Sequence, residues 1–474
     1  MSLPGGRIGA AFATVAEFED PMQPAVKASW PPGIVAVEDR DRWPEYAVSR
    51  IGSALSAYKA QSLSPVERIQ RLVERSDRQE EGSTLAFLDR DLLNRAAVES
   101  EHRWREGAVR PLEGITVGVK DIVDVAGLPT ALGLNRINPN PAKRDSAIVA
   151  RLRRDGAIPF VKLRTYEYAW AEDSGINPVI NPVDPRLITG GSSNGSAAAV
   201  GFGLVDIAIG SDTLGSTRAP AAFCGVVGLK LSQGAVPTTG MAGLAPSLDC
   251  LGLLGASVHD VTHVWDSLTD GPRRAPVSSP KAAIITAGPR SDGVINALKR
   301  AGSVLEDRGW SVDQCPFNRL DDAAAAGLVI VAVESSRQGW ATPPSSGLSA
   351  GVEELLEAGR HASRGVYEAA MNFRRSLSIE MSAIFATYDV ILSPVTPGSA
   401  PGVESLYFTI RGEQIPWLDI ANTHLAWSNL GGFPSLSVPV RLETDGSVTS
   451  LQVTSRMFAE EVALSVGSIL EWSL

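Results

Sequence analysis

The stretch from Thr189 to Leu231, TGGSSNGSAAAVGFGLVDIAIGSDTLGSTRAPAAFCGVVGLKL, constrains the fold more than any other part of the chain. Glycine and serine crowd both ends of a helix followed by a buried strand. Gly190-Gly191-Ser192-Ser193 falls where the helix begins, so free N–H groups gather there. Ser211-Asp212-Thr213-Leu214-Gly215-Ser216 follows the strand, where the backbone is free to turn. A turn of that kind aims several N–H groups at one point, the geometry that acyl transfer needs to hold a developing oxyanion.

A serine nucleophile also needs a base. No His lies in the segment, and the five in the chain (102, 259, 263, 361 and 424) are scattered, none in a nucleophile-elbow or metal setting. A triad assembled across the sequence stays open. The other route is a lysine. Lys120 ends the β-branched run Ile115 to Val119, and a buried lysine gives up its proton readily because desolvation disfavours the cation.

Composition narrows the partners. The 474 residues carry 43 Lys+Arg against 53 Asp+Glu, a net charge of −10, which argues against nucleic acid or an anionic membrane. Three Cys are too few, and odd, for a disulfide framework, and no zinc-ligand spacing occurs. A reducing cytoplasm is the expected location. No apolar run is long enough for a membrane span. Met1 to Ala16 resembles a poor signal peptide, with one Arg and an Ala- and Gly-rich run.

Residues 1–60 read as an irregular N-terminal extension, broken by Pro21, Pro24, Pro31, Pro32 and Pro44, with Trp30 and Trp43 free to pin it to the body. Ser64-Pro65-Val66-Glu67 then predicts a capping box, followed by the apolar face Val66, Ile69, Leu72 and Val73. Helices are predicted near 90–105, 147–154, 197–200, 294–305 and 458–470. Strands are predicted near 115–119, 157–162, 205–209, 282–286, 389–395, 434–440 and 447–455. A surface connection is expected near 271–280. The alternation predicts an α/β fold layered around one large sheet.

These residues together identify a resemblance to the amidase signature family. Gly190 to Ser196, Gly210 to Arg218 and Val119-Lys120-Asp121 follow the family's three motifs, and Ser192 and Ser216 stand 24 residues apart, as in the family. The flanks Asn181-Pro182, Phe223 to Lys230, Tyr388 to Pro397 and Asn429 to Pro439 also match. The resemblance implies one large domain over 61–474, with a central mixed, twisted β-sheet covered by helices on both faces. It implies Ser216 as nucleophile and Ser192 as the bridging serine, after a cis bond at Gly191-Ser192. Lys120 is then the base. The N–H groups of Thr213, Leu214, Gly215 and Ser216 form the oxyanion hole, and Ser193, Asp212 and Arg218 brace the serine loops. No metal or cofactor is implied.

Three residues in the serine motifs depart from the family's pattern, Leu214 and Asn194 replacing glycines and Ser211 a threonine, and Leu451 to Arg456 departs from it near the end. Leu214 either strains the turn or narrows the mouth. Asn194 suits a left-handed position. The loops expected to set specificity are 125–140, 165–180, 330–385 and 405–425. With their borders they carry Tyr166, Tyr168, Trp170, Trp340, Tyr367, Met371, Phe373, Phe408, Trp417 and Trp427. An apolar or aryl amide is the expected small-molecule substrate, while Arg411 and His424 offer a polar alternative. Hydrolysis is the leading reading. The alternatives are a non-catalytic binding protein and an amidotransferase with a partner subunit. The N-terminal extension covers the site, mediates a homodimer, or does neither.

Overall fold

The computed structural model describes residues 6–18, 49–78, 83–134, 140–170, 179–269, 280–315, 317–339, 348–442 and 446–473. The segment holding Trp30 and Trp43, the connection near 271–280 apart from Pro280, and Trp340 lie outside these residues.

Thirteen strands are found among the described residues. They are β1 (Leu85–Leu88), β2 (Thr116–Lys120), β3 (Ile158–Leu163), β4 (Ile207–Asp212), β5 (Val227–Lys230), β6 (Cys250–Gly255), β7 (Lys281–Ile285), β8 (Ser311–Cys315), β9 (Val390–Pro394), β10 (Tyr407–Ile410), β11 (Glu413–Pro416), β12 (Ser435–Arg441) and β13 (Val448–Ser455). Eleven of them form one sheet in the order β1-β3-β2-β4-β6-β5-β12-β13-β9-β7-β8, and β10 and β11 pair as a separate hairpin. The sheet is mixed. Strands β3, β2 and β4 run parallel, as do β9, β7 and β8, and the strands between them are antiparallel.

Alternation divides the side chains between two faces. Ile207, Ile209, Leu251 and Leu253 pack with the helices Val258–Leu268, Asp292–Glu306 and Glu460–Ser473. Ala208 and Leu254 point the other way, onto Asn194–Gly201. Helices therefore cover both faces, as expected of an α/β sheet. The helix Pro65–Ser76 has the predicted capping box, with Glu67 N donating to Ser64 Oγ at 3.1 Å and Ser64 N to Glu67 Oε2 at 2.9 Å.

Two expectations need correction. The first sixty residues are not irregular throughout: Gly6–Ala16 and Arg50–Lys59 are helices. Gly6–Ala16 buries Ile8, Ala11, Phe12 and Val15 in a cluster shared with the helix Leu320–Ser335. Region 330–385 is mostly helical rather than a loop, formed by the end of Leu320–Ser335, Ala350–His361 and Arg364–Phe385. Leu320–Ser335 is apolar all round because it is buried on nearly every side, so it has no amphipathic face for periodicity to detect. No helix among the described residues is long and apolar enough to cross a membrane.

Candidate active site

Parallel pairing of β2 with β4 sets Val119 opposite Ile209, which brings the C-terminal ends of both strands together. Lys120 emerges from one end, and Ser211 and Asp212 from the other. Lys120 is fully buried. Its Nζ donates to Ser192 Oγ at 2.7 Å and to Ser211 Oγ at 2.8 Å. Burial pushes its pKa down to about 7, against the opposing charges of Asp212 and Asp249. Ser192 follows a cis peptide bond from Gly191 and precedes the helix Asn194–Gly201. Its carbonyl accepts from Thr165 Oγ1 at 2.8 Å, which fixes the loop.

The second serine loop is braced by an ion pair. Asp212 and Arg218 are both fully buried, with Arg218 Nη2 donating to Asp212 Oδ1 and Nε to Oδ2, each at 2.9 Å. Burial alone would raise the Asp212 pKa. The Arg218 charge and hydrogen bonds outweigh it and hold the carboxyl well below the usual carboxylate range. Arg218 also donates to Ser428 Oγ, Gln452 Oε1 and Asn429 Oδ1 at 2.7, 2.6 and 2.6 Å, so the pair is tied to the last third of the chain. Ser193 N donates to Ser216 O at 3.1 Å, linking the two serine loops.

Between Asp212 and Ser216 the backbone turns at Gly215, whose φ of 113° leaves a direction where a side chain would run into Leu425. Gly215 N donates to Asp212 Oδ1 at 2.8 Å and is therefore engaged. Among the described residues the N–H groups of Thr213, Leu214 and Ser216 have no acceptor within the chain. Thr213 Oγ1 donates to buried Asp249 at 2.6 Å.

Leu214 is in ordinary backbone geometry, with the positive φ falling on Gly215 instead. Its side chain packs where Gly327 lacks a Cβ: one built there would lie 2.7 Å from Leu214 Cδ2. Asn194 is the first residue of its helix and has no positive φ, so the left-handed tolerance expected of it is not used.

Ser192 and Ser216 line one cleft together with Thr213, Leu214 and Gly215. Tyr166, Trp170 and Trp417 join them, so three of the ten expected specificity side chains face the serines. Phe373, Phe408 and Trp427 are buried in packing clusters instead. Arg411 is exposed, and its Nε lies 3.8 Å from Asp292 Oδ1, outside the cleft. His424 Nε2 lies 2.7 Å from Pro289 O, and burial lowers its pKa to about 4. The cleft encloses only about 60 Å³, and Arg7, Trp417 and Leu418 are among the residues that line it. Sequence reasoning missed Arg7, Ser211 as a lysine partner, and Asp249. Ser211 sits inside one of the family motifs, but Arg7 lies far from every motif.

Comparison with known proteins places the chain. The Amidase family model matches residues 67–464. A glutamyl-tRNA(Gln) amidotransferase subunit from Thermus thermophilus is 32% identical over 427 residues, covering 80% of this chain and 88% of that protein. AtzE, which belongs to the 1-carboxybiuret hydrolase of a Pseudomonas species, is 29% identical over 410 residues, covering 80% and 89%. A crystal structure of an amidase superposes with a TM-score of 0.81 at 29% identity, covering 90% of this chain and 99% of that one.

Proposed function

The chain belongs to the amidase signature family, whose enzymes act on C–N bonds, and from that premise we propose that it is a serine amidohydrolase cleaving a small amide. The observation that carries the reading is the 2.7 Å contact between buried Lys120 and Ser192, which lines the same cleft as Ser216. A lysine with a pKa near 7 is substantially neutral at physiological pH and can accept a proton.

Ser216 Oγ attacks the amide carbonyl and gives its proton to Ser192 Oγ, while Ser192 passes its own proton to Lys120 Nζ. The carbonyl oxygen gains the negative charge and accepts hydrogen bonds from the N–H groups of Thr213, Leu214 and Ser216. As the C–N bond breaks, the relay runs backwards and protonates the departing amine. Water then attacks the Ser216 ester, with the same relay taking its proton. The Asp212–Arg218 pair holds the turn that carries those donors. No step needs a metal or cofactor. Tyr166, Trp170, Leu244 and Trp417 support an apolar or aryl body for the substrate.

The test is intact-mass labelling with a fluorophosphonate on wild type and Ser216→Ala, followed by an ammonia-release screen of alkyl and aryl amides. One adduct on wild type, absent from Ser216→Ala, is the expected result. No adduct on folded wild type overturns the assignment of the nucleophile.

The amidotransferase relatives favour a second reading, in which this chain releases ammonia or passes an acyl group alongside a partner chain. Co-purification of that chain, with glutamine-dependent ammonia release only when an acceptor is added, would select it. A homodimer would instead show as a doubled mass in light scattering.

A further inference from the structure

Arg7 is the one charged side chain among the described residues lining the cleft that holds Ser192 and Ser216. It arrives from the far end of the sequence, on the helix Gly6–Ala16. Burial of Ile8, Phe12 and Val15 anchors that helix, so the arginine is delivered by core packing rather than by a loose tail. The guanidinium lies over the Trp170 ring, 5.1 Å from its centroid, and Nη1 donates to Leu418 O at 2.8 Å. No carboxylate forms an ion pair with it among the described residues. Asp419 and Glu354 favour its charge only from a distance.

A guanidinium has five N–H donors in a planar fork, and here a single one has an acceptor among the described residues. Arg7 is half-buried, and the surrounding protein lowers its pKa to about 10, so the group remains a cation at neutral pH. The other donors are open to solvent, and a planar anion entering the cleft would meet them in the two-pronged geometry that arginine favours. Away from the serine loops and Asn422, the walls formed by Trp170, Leu244, Val331 and Trp417 suit hydrocarbon.

We propose that Arg7 is a specificity-determining residue that receives a carboxylate on the substrate, so that the amide cleaved at Ser216 carries an apolar middle and an anionic end. This rests on the amidase reading above and narrows its substrate class.

The test compares succinamic, glutaramic and adipamic acids with butyramide, valeramide and hexanamide, in wild type, Arg7→Gln and Arg7→Lys. Wild type is expected to favour the acids. In Arg7→Gln the ratio of kcat/KM for acid over neutral amide should fall about 10- to 100-fold, mostly through KM, with partial recovery in Arg7→Lys. Calorimetric binding of the matching dicarboxylates reads the same preference without turnover, and should weaken by a similar factor in Arg7→Gln. A wild type that prefers neutral amides overturns the proposal, as does an Arg7→Gln that changes both series equally or changes neither, and Arg7 is then a latch on the helix. Fluorophosphonate labelling of the same samples separates the two readings. Without a Ser216 adduct the amidase assignment fails, and the dicarboxylate affinities then decide for or against Arg7 alone.

Discussion

Lys120 Nζ lies 2.7 Å from Ser192 Oγ, and its two hydrogen-bond partners among the described residues are both serine hydroxyls rather than carboxylates. That environment leaves the amine free to lose its proton near neutrality. The rate of fluorophosphonate labelling should therefore rise with pH through an apparent pKa near 7 and then level off. Lys120→Ala should lose that rising limb and label about 10²- to 10⁴-fold more slowly. A profile unchanged by the substitution would remove Lys120 from the proton path.

The same residue gives stability a pH dependence. In the folded chain Lys120 releases its proton near pH 7, and in the unfolded chain near 10.5. Between those values the unfolded state binds more protons, so this group makes stability rise with pH. Below pH 7 the cost of the buried charge is fully present. Lys120→Met should therefore gain most relative to wild type at about pH 6, and that advantage should shrink by about pH 9. Urea unfolding of both proteins at the two pH values checks this, and a difference that does not move with pH contradicts it.

Breaking the Asp212–Arg218 pair from one side leaves a buried charge without its partner. Arg218→Met should cost about 3–5 kcal/mol of stability and slow Ser216 labelling even where the protein remains folded. Removing Arg186, which pairs with Asp184 at the exposed surface, should leave the midpoint of denaturation almost unmoved. Thermal and urea unfolding of the two variants side by side measure the contrast.

Leu214 and Gly327 share one volume, so changes at either should report at the cleft. Leu214→Ala should destabilise the protein by about 2–4 kcal/mol while raising kcat/KM for bulkier acyl groups relative to smaller ones. Gly327→Ala pushes Leu214 the other way and should sharpen the preference for small acyl groups. A substrate series of graded acyl size read on both variants tests the pair.

Much of this arrangement was legible in the sequence because short-range chemistry dictates it. Ser64, Pro65 and Glu67 announce a helix start by themselves, and the helix begins there. Lys120, Ser192 and Ser216 stood out as candidates because their motifs occur together, in the order and at the spacing of the amidase signature family, whereas each run alone reads as an ordinary loop or strand end. Arg7 was not legible. Its helix is short and rich in glycine and alanine, and its place at the cleft depends on partners some three hundred residues away. The helix Arg364–Phe385 was hidden differently: its buried face is only Ala370, Phe373, Leu377 and Met381, thinly spread among polar residues. The engagement of Gly215 N by Asp212 depends on a backbone turn that no residue pattern specifies.

The packing of Gly6–Ala16 on Leu320–Ser335 also sets a schedule for biosynthesis. Roughly 300 residues separate the two helices, and at about 5–20 residues per second a ribosome needs on the order of 15–60 s to make them. Through that interval Ile8, Phe12 and Val15 exist without the surface that will bury them. The arginine that faces the cleft is thus made well before the chain that forms the cleft wall, and it reaches its position only after that chain has emerged.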